Sequence, residues 1–205
     1  VTNNCCRFNN RCAIIDFRVQ LMLIGSFGLR LIITIFIIEE VFGNMNEIIN
    51  ALYQRKSVRV FTDDPITDED KKLILTSAIQ APSAGCQLLY TILDITDQTK
   101  KDRLADLCDH QAFIAAGQMV LIFCADCQKW DAFYKEAGIS PRCPGAGDLL
   151  LAVEDAMIAA QNAVVAAESL GIGSCYIGDI MENVEEIRTL LALPEYVYPA
   201  CMLVF

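Results

Sequence analysis

The chain has 205 residues, which is enough for one sizeable hydrophobic core. Its 26 acidic and 16 basic residues give a formal net charge of −10, which argues against nucleic-acid binding through phosphate contacts and indicates a solvated acidic surface. The hydrophobic fraction of 54% and the mean hydropathy of +0.38 are high for a soluble domain, and part of the excess comes from residues 19–38.

Residues 1–44 differ in character from the rest of the chain. Residues 19–38 are an apolar run with one charge, Arg30, and their length matches a membrane-spanning helix. An arginine near the centre of such a helix costs roughly 2.5–3.5 kcal/mol on insertion. Three interpretations remain: a membrane anchor, an additional packing element, or upstream sequence translated from a misplaced start. We favour the last because the chain begins at Val1 and Met45 opens an amphipathic pattern. We therefore expect the folded domain to comprise residues 45–205.

From residue 45 onward, helical and strand patterns are mixed without repeats. Thr67, followed by Asp70 three positions later, predicts the N-terminal cap of a helix. This mixture predicts an α+β or α/β fold, and no G-x-G-x-x-G motif follows a strand to support a Rossmann nicotinamide fold. We predict helices over residues 45–53, 67–81, 98–108, 128–136, 148–170 and 184–192, and strands over residues 89–95, 119–125, 174–177 and 199–205.

The pattern over residues 148–170 is the most informative, because it is apolar nearly all round. A soluble protein uses such a helix as a buried spine or at a large subunit interface. Gly171, directly after it, is a natural residue to end a helix.

Ten cysteines are scattered along the chain, several of them in apolar runs. This usage is typical of reduced, buried thiols and predicts a cytoplasmic protein. Cys124 and Cys127 have the spacing of a redox or metal pair, but no second pair completes a zinc site. We interpret them as two cysteines at the end of a buried strand and predict no metal site.

Three short segments carry residues that suit a ligand. Residues 55–59 (RKSVR) place three cations and a hydroxyl directly after the first helix, where they either complement the helix dipole or clamp a phosphate. Residues 81–87 (APSAGCQ) form a loop of small side chains, which is either a plain turn or a place where backbone groups approach a flat ligand. Residues 171–179 (GIGSCYIGD) frame a strand with three glycines, which indicates a helix cap and a tight bend, or a third part of the same site.

In this order and spacing, the three segments resemble the nitroreductase family. Its members carry R-[RK]-S-x-R after the first helix, A-P-S-A near the end of the second, and G-[IL]-G-S-x-x-I-G after the long central helix. The resemblance covers residues 45–205. It implies a homodimeric α+β fold with a central mixed or antiparallel sheet flanked by helices, a long buried central helix, and two FMN sites at the subunit interface.

The resemblance also implies which residues bind FMN. The phosphate, ribityl chain and pyrimidine edge would be held by Arg55, Lys56, Ser57 and Arg59. The isoalloxazine ring would be lined by Pro82, Ser83 and Ala84, the last of these contributed across the dimer. Backbone N–H groups near flavin N5 would come from Ile177 and Gly178, with Tyr176 against the ring.

Two departures from the family pattern are visible in the sequence. Cys86 stands where many members have an asparagine that hydrogen-bonds the flavin pyrimidine, and thiols are poor donors. Gln87 is the residue that could substitute for it, so both belong to the predicted site. Members also continue past the final strand with a G-Y-P turn and a basic residue that reaches the phosphate, so we expect the domain to be truncated at its C-terminus.

The resemblance implies an enzyme in which NAD(P)H and a small organic acceptor, such as a nitroaromatic, quinone or enone, react in turn with FMN. This chemistry requires no side chain as acid or base, so we predict no catalytic residue. Residues 110–147, which contain Phe113, Trp130, Phe133 and Tyr134, are the predicted source of acceptor specificity; the alternative is that these aromatic residues serve packing alone. Two alternatives remain: a non-catalytic or degenerate flavin-binding protein, and a flavoprotein anchored to a membrane through residues 19–38.

Overall fold

The computed structural model describes residues 46–205. The chain divides into two compact units, Val1–Asn50 and Ala51–Phe205, and the following description concerns the second. The interpretations offered for residues 1–44, including the apolar run at 19–38, lie outside the described residues. The helices are α1 (Glu47–Gln54), α2 (Asp68–Ile79), α3 (Gln98–Leu107), α4 (Phe113–Ala116), α5 (Asp131–Glu136), α6 (Ala146–Ser169) and α7 (Val184–Leu191). The strands are β1 (Tyr90–Asp94), β2 (Val120–Asp126), β3 (Cys175–Ile177) and β4 (Val197–Val204).

The four strands form one antiparallel sheet in the order β1-β2-β4-β3. Strand β2 lies inside the sheet and all of its residues are buried, as its continuous apolar run predicts. The only parallel pairing among the described residues is an isolated bridge between Ser57 and Ser174 at the β3 edge. The predicted α+β class is confirmed, and the sheet is antiparallel apart from this bridge.

Helices cover both faces of the sheet because successive side chains on each strand point to opposite sides. On one face, Phe123 and Leu203 pack with the buried residues of α2 and α6. On the other face, Ile122 and Met202 pack with α3, α4 and α7. Each face therefore has its own hydrophobic core, with β2 and β4 contributing to both.

The long helix α6 is the buried spine that its sequence predicts. Its buried side is mostly alanine, which lets the helix approach the sheet and α2 closely. It ends at Ser169 and is followed by Gly171, whose φ is +76°; the N–H groups of Gly171 and Ile172 donate to the carbonyls of Glu168 and Ala167. Among residues 46–205, α6 alone has the length and hydropathy of a membrane span, and its alanine side belongs to the core.

Some predicted boundaries are wrong for identifiable reasons. Strand β4 begins at Val197 rather than residue 199, because Pro199 lies within the strand beside an irregularity in the β2 pairing, a position that tolerates proline. Helix α5 begins at Asp131 rather than residue 128. The short helix α4 and two 3₁₀ turns, Ala84–Cys86 and Asp179–Met181, are too short to give a periodic sequence signal.

Candidate functional site

The cation-rich segment 55–59 runs beside the start of β3. The Val58 N–H donates to the Ser174 carbonyl at 3.0 Å, and Ser57 and Ser174 form the parallel bridge. Gly173 permits this approach, since a Cβ atom at that position would lie 2.6 Å from Val58 Cγ2. Two of the three predicted segments are therefore brought together, and the second glycine of the G-I-G-S motif is required by the close contact between them.

Arg55 is half-buried, and its Nη1 atom is inaccessible to solvent without a hydrogen-bond partner among the described residues. A buried guanidinium N–H group without an acceptor is unusual in a native fold. Guanidinium groups bind phosphate and other oxyanions through pairs of such N–H groups. The Nη1 group of Arg55 is therefore a donor without an acceptor among the described residues, and an anionic oxygen would suit it.

Tyr176 lies on β3 at this edge of the sheet, and its hydroxyl donates to Gln161 Oε1 on α6 at 3.3 Å. Burial raises the pKa of the Tyr176 hydroxyl above its usual value, with a further contribution from Cys201, while the neighbouring Arg55 acts in the opposite direction. The phenol is therefore neutral at physiological pH. Its half-buried ring is a neutral aromatic surface at the β3 edge.

The other polar residues of segment 55–59 are exposed. A ligand at the surface can therefore contact Lys56, Ser57 and Arg59 without any change in the core. The Arg59 guanidinium lies 5.9 Å from the centre of the Phe113 ring. A neighbouring cleft of about 490 Å³ is lined by Lys56, Val58 and Phe205 among others. Within residues 46–205, Lys56 is the one predicted site residue that lines this cleft, so the cleft and the predicted flavin site do not coincide.

Ile177 and Gly178 follow Tyr176 and differ in exposure. The Ile177 side chain is buried in the core between the sheet and α3, so only its backbone could meet a ligand. Gly178 is exposed, and a Cβ atom added to it would meet no atom within 4 Å among the described residues. The space beside Gly178 is open.

The loop containing Pro82, Ser83 and Ala84 has an unusual backbone. Gly85, Cys86 and Leu88 have φ values of 57°, 57° and 50°, in the left-handed region that non-glycine residues rarely adopt. The Ser83 hydroxyl accepts the Leu88 N–H at 3.0 Å, which closes the loop on itself. The loop is thus a defined structure that presents the exposed Pro82, Cys86 and Gln87 to solvent.

Asp155 holds this loop from the core, and sequence reasoning did not identify it. Its side chain lies on α6 and is 3% exposed. Oδ1 accepts the Ala84 N–H at 2.9 Å and Oδ2 accepts the Leu89 N–H at 3.2 Å. An acidic residue on the buried side of an apolar helix is the signal that could have identified it.

The segment between β2 and α5 also contacts the loop. The Trp130 indole N–H donates to the Gln87 carbonyl at 2.9 Å, and Lys129 Nζ donates to the carbonyls of Leu88 and Tyr90 at 3.0 and 2.9 Å. Trp130 also packs against Phe133, with ring centres 5.3 Å apart. Of the aromatic residues predicted to determine specificity, Trp130 therefore contacts the A-P-S-A loop and Phe133 packs against Trp130, whereas Phe113 lies near Arg59.

The loop and the other two segments lie at opposite edges of the sheet. The loop leads into the edge strand β1, whereas Ser57 and Tyr176 lie at the β3 edge. Three interstrand spacings, roughly 14 Å, separate the two edges. The described part of one chain thus brings segments 55–59 and 171–178 together and leaves the A-P-S-A loop apart from them.

These features define an α+β protein in which a cation-rich segment and a glycine-framed strand meet at one edge of the sheet. A comparison with protein families gives the class a name: the model of the Nitroreductase family matches residues 52–205. The chain belongs to the nitroreductase family, as its three sequence segments predict.

The chain is similar to several characterised relatives. It is 36% identical over 155 residues to the oxygen-insensitive NADPH nitroreductase of Salmonella typhimurium, which covers 76% of this chain and 63% of the relative. It is 33% identical over 162 residues to an FMN reductase [NAD(P)H] of Bacillus subtilis, covering 78% of this chain and 65% of that protein. The chain thus spans slightly less than two thirds of the length of these relatives.

Solved structures show the same fold. The structure of B. megaterium NfrA2 matches with a TM-score of 0.75 and 37% identity, covering 78% of this chain and 65% of that one. The NADPH:FMN oxidoreductase from Vibrio harveyi complexed with NAD⁺ matches with a TM-score of 0.73 and 30% identity, covering 78% and 67%. The nitroreductase-like fold is therefore confirmed.

Proposed function

We propose that this protein is an FMN-dependent oxidoreductase that passes two electrons from NAD(P)H to a small organic acceptor. The observation that carries the proposal is the buried N–H group of Arg55 without an acceptor among the described residues, two positions before the bridge between Ser57 and Ser174. The relatives named as NADPH nitroreductase and FMN reductase support the same cofactor and donor.

The residues at the β3 edge fit the parts of FMN. Arg55, with Lys56, Ser57 and Arg59, would hold the phosphate, ribityl chain and pyrimidine edge, since this segment supplies cations and a hydroxyl at one place. Tyr176 would lie against the ring with the backbone N–H groups of Ile177 and Gly178 near it, and the open space beside Gly178 supports this placement. When bound, FMN supplies the two-electron chemistry.

The chain's own residues would bind and orient the cofactor and exclude water. Cations and backbone N–H groups fixed before the reaction stabilise negative charge without reorganisation. No side chain has to transfer a proton, so we assign no catalytic residue. Donor and acceptor would use the same open face in turn, a ping-pong order, with nitroaromatics, quinones or enones as the acceptor class.

A complete site would require two copies of the chain. The separation between the β1 and β3 edges supports a site in which the loop residues Pro82, Ser83 and Ala84, with Cys86 and Gln87, come from the second subunit of a homodimer. Part of α6 supports such an interface, because Leu150, Leu151, Met157 and Ile158 are between 38% and 65% exposed. A cytoplasmic location belongs to the same proposal and is supported by the buried free thiols of Cys108, Cys124, Cys175 and Cys201.

Purification with added FMN tests the function directly. We expect a yellow protein that NADH or NADPH bleaches under anaerobic conditions and that a nitroaromatic or quinone reoxidises. A yellow protein that neither nucleotide bleaches would establish the non-catalytic alternative, and a colourless protein that ignores added FMN would overturn the proposal.

Arg55→Ala tests the assignment of the phosphate contact. Removing the half-buried guanidinium should weaken FMN binding by at least tenfold, because one charge-assisted contact contributes about 1.5–3 kcal/mol. The measurement is a fluorescence titration of FMN into the flavin-free protein. Arg103→Ala is the matched control, since Arg103 is an exposed cation on α3 whose partner is Glu186. Equal FMN affinity in both variants would contradict the assignment.

A further inference from the structure

Asp155 is a charged residue in a position that normally excludes charge. It lies on the buried side of α6 among alanines, and its side chain is 3% exposed. A buried carboxylate without partners is strongly destabilising, so its partners account for its presence. Each of its two carboxylate oxygens accepts a hydrogen bond from a backbone N–H group, one from Ala84 and one from Leu89.

These two donors lie at the two ends of the strained part of the loop. Between Ala84 and Leu89 the chain passes through left-handed conformations at Gly85, Cys86 and Leu88. For a non-glycine residue this conformation costs roughly 1–2 kcal/mol. A backbone that carries such strain keeps one conformation only when the surrounding structure fixes it. Asp155 supplies that fixation from the rigid central helix.

We propose that Asp155 is a positioning residue for the flavin, which holds the loop 84–89 in the one conformation that binds the isoalloxazine ring. The inference rests on the proposed function for its ligand, and on the two hydrogen bonds for its mechanism. Asp155 itself does not touch the flavin. It acts through the loop, and its effect is to reduce the conformational freedom that flavin binding would otherwise have to remove.

Asparagine cannot replace Asp155 in this role, although its shape is nearly the same. Both partners are N–H donors, so the site needs two acceptor oxygens, and an amide offers one oxygen and one NH₂ group. In Asp155→Asn, one loop N–H would therefore face another donor. Asp155→Ser is a second variant that removes the charge, leaves one acceptor and requires no extra space.

The chain contains its own probe for the loop. Trp130 is the only tryptophan, and its indole N–H donates to the Gln87 carbonyl within the loop. Trp130 emission in the flavin-free protein therefore reports the loop conformation without any involvement of FMN or of catalysis. A role of Asp155 in overall stability alone would leave the emission of the folded variant unchanged.

The experiment compares the wild type, Asp155→Asn, Asp155→Ser and the control Asp106→Asn, which removes an exposed carboxylate from α3. In both Asp155 variants we expect a red-shifted Trp130 emission before FMN is added, and FMN binding weakened at least tenfold. The control should match the wild type in both measurements. In steady-state assays at saturating FMN, the variants should recover most of kcat, since the reacting groups are unchanged.

Two outcomes separate this inference from the proposed function. If the wild type binds FMN and a folded Asp155 variant binds it equally well, with unchanged Trp130 emission, the inference is wrong and the function stands. If the wild type does not bind FMN, the proposed function fails. Hydrogen exchange of the wild type needs no variant: the amides of Ala84 and Leu89 should exchange slowly, and rapid exchange of both would overturn the role of Asp155.

Discussion

Arg55 and Asp155 show how two charged side chains in protected positions differ in what they require. The Asp155 carboxylate has both oxygens bonded within the chain, so its environment is complete. Arg55 leaves Nη1 buried and unused within the described residues, so its environment lacks an acceptor. Because a buried polar group is costly unless it is paired, the fold accounts for Asp155, and we propose that a bound anion accounts for Arg55.

Cys86 is the residue at which a single substitution should improve the protein. It is exposed and has a φ of 57°, a conformation that asparagine adopts at lower cost than cysteine. Cys86→Asn should raise the free energy of unfolding by about 0.5–1 kcal/mol and strengthen FMN binding, because the amide adds a hydrogen-bond donor. Thermal unfolding of the flavin-free protein and FMN titration measure the two effects. Cys143→Asn, at another exposed cysteine, should change neither; a less stable Cys86→Asn with weaker flavin binding would contradict the prediction.

The cysteines should differ sharply in reactivity. Burial raises the pKa of Cys124 and of Cys201 from 9.0 to about 12, so at pH 8 only about one molecule in 10⁴ carries either thiolate. Among the cysteines of residues 46–205, iodoacetamide at pH 8 should therefore label the exposed Cys86 and Cys143 first, as peptide mass spectrometry would show. The same pKa shifts make the stability of the fold depend on pH. Because the folded pKa values lie above the unfolded ones, the contribution of these thiols to the free energy of unfolding is fully present below pH 9 and is lost as the pH rises toward 12. Early labelling of Cys124 in folded protein would be inconsistent with its burial.

At the scale of elements, the sequence predicts what depends on local pattern. Strand β2 and helix α6 are built mostly from apolar residues, and the Thr67 cap is confirmed by its bond with the Asp70 N–H. Contacts between distant residues leave no such pattern. The bonds from Asp155 to the loop and from Trp130 to Gln87 join residues 43 to 71 positions apart. The pairing of segments 55–59 and 171–178 likewise became a prediction only through the family resemblance.

The contact between Gly173 and Val58 determines how these two segments meet. A Cβ atom on residue 173 would lie 2.6 Å from Val58 Cγ2, so Gly173→Ala should lower the free energy of unfolding by about 1–3 kcal/mol and weaken FMN binding by displacing segment 55–59. Adding Val58→Ala removes the clashing methyl groups and should restore part of both. Urea unfolding and FMN titration of the single and double variants measure this coupling.

Gly147→Ala is the matched control for that prediction, because a Cβ atom there would meet no atom within 4 Å among the described residues. It lies in the first turn of α6, where alanine is a better helix former than glycine, so its stability should be equal or higher. If Gly173→Ala behaved like Gly147→Ala, the contact with Val58 would not be important for the site.

At the scale of the whole molecule, helix α6 has two different apolar sides. Its alanine side is buried against the sheet, while Leu150, Leu151, Met157 and Ile158 recur at helical spacing on a side that stays exposed. Large exposed apolar groups on a helix indicate an interface. A second copy of the chain on this side would bury them, and it would also supply the loop that one chain keeps at the distant β1 edge.

Subunit mixing tests this two-chain site. An Arg55→Ala subunit has an intact loop, and an Asp155→Asn subunit has an intact Arg55, so a heterodimer of the two contains one site without either substitution. Random exchange makes half of the dimers mixed, and one of their two sites is intact, so mixing should restore about a quarter of the high-affinity FMN sites. Titration before and after mixing measures the gain. Placing Ile158→Arg in both subunits should abolish it by charging the exposed side of α6. If Arg55 and the loop acted within one chain, mixing would restore nothing, because each chain would carry one defect.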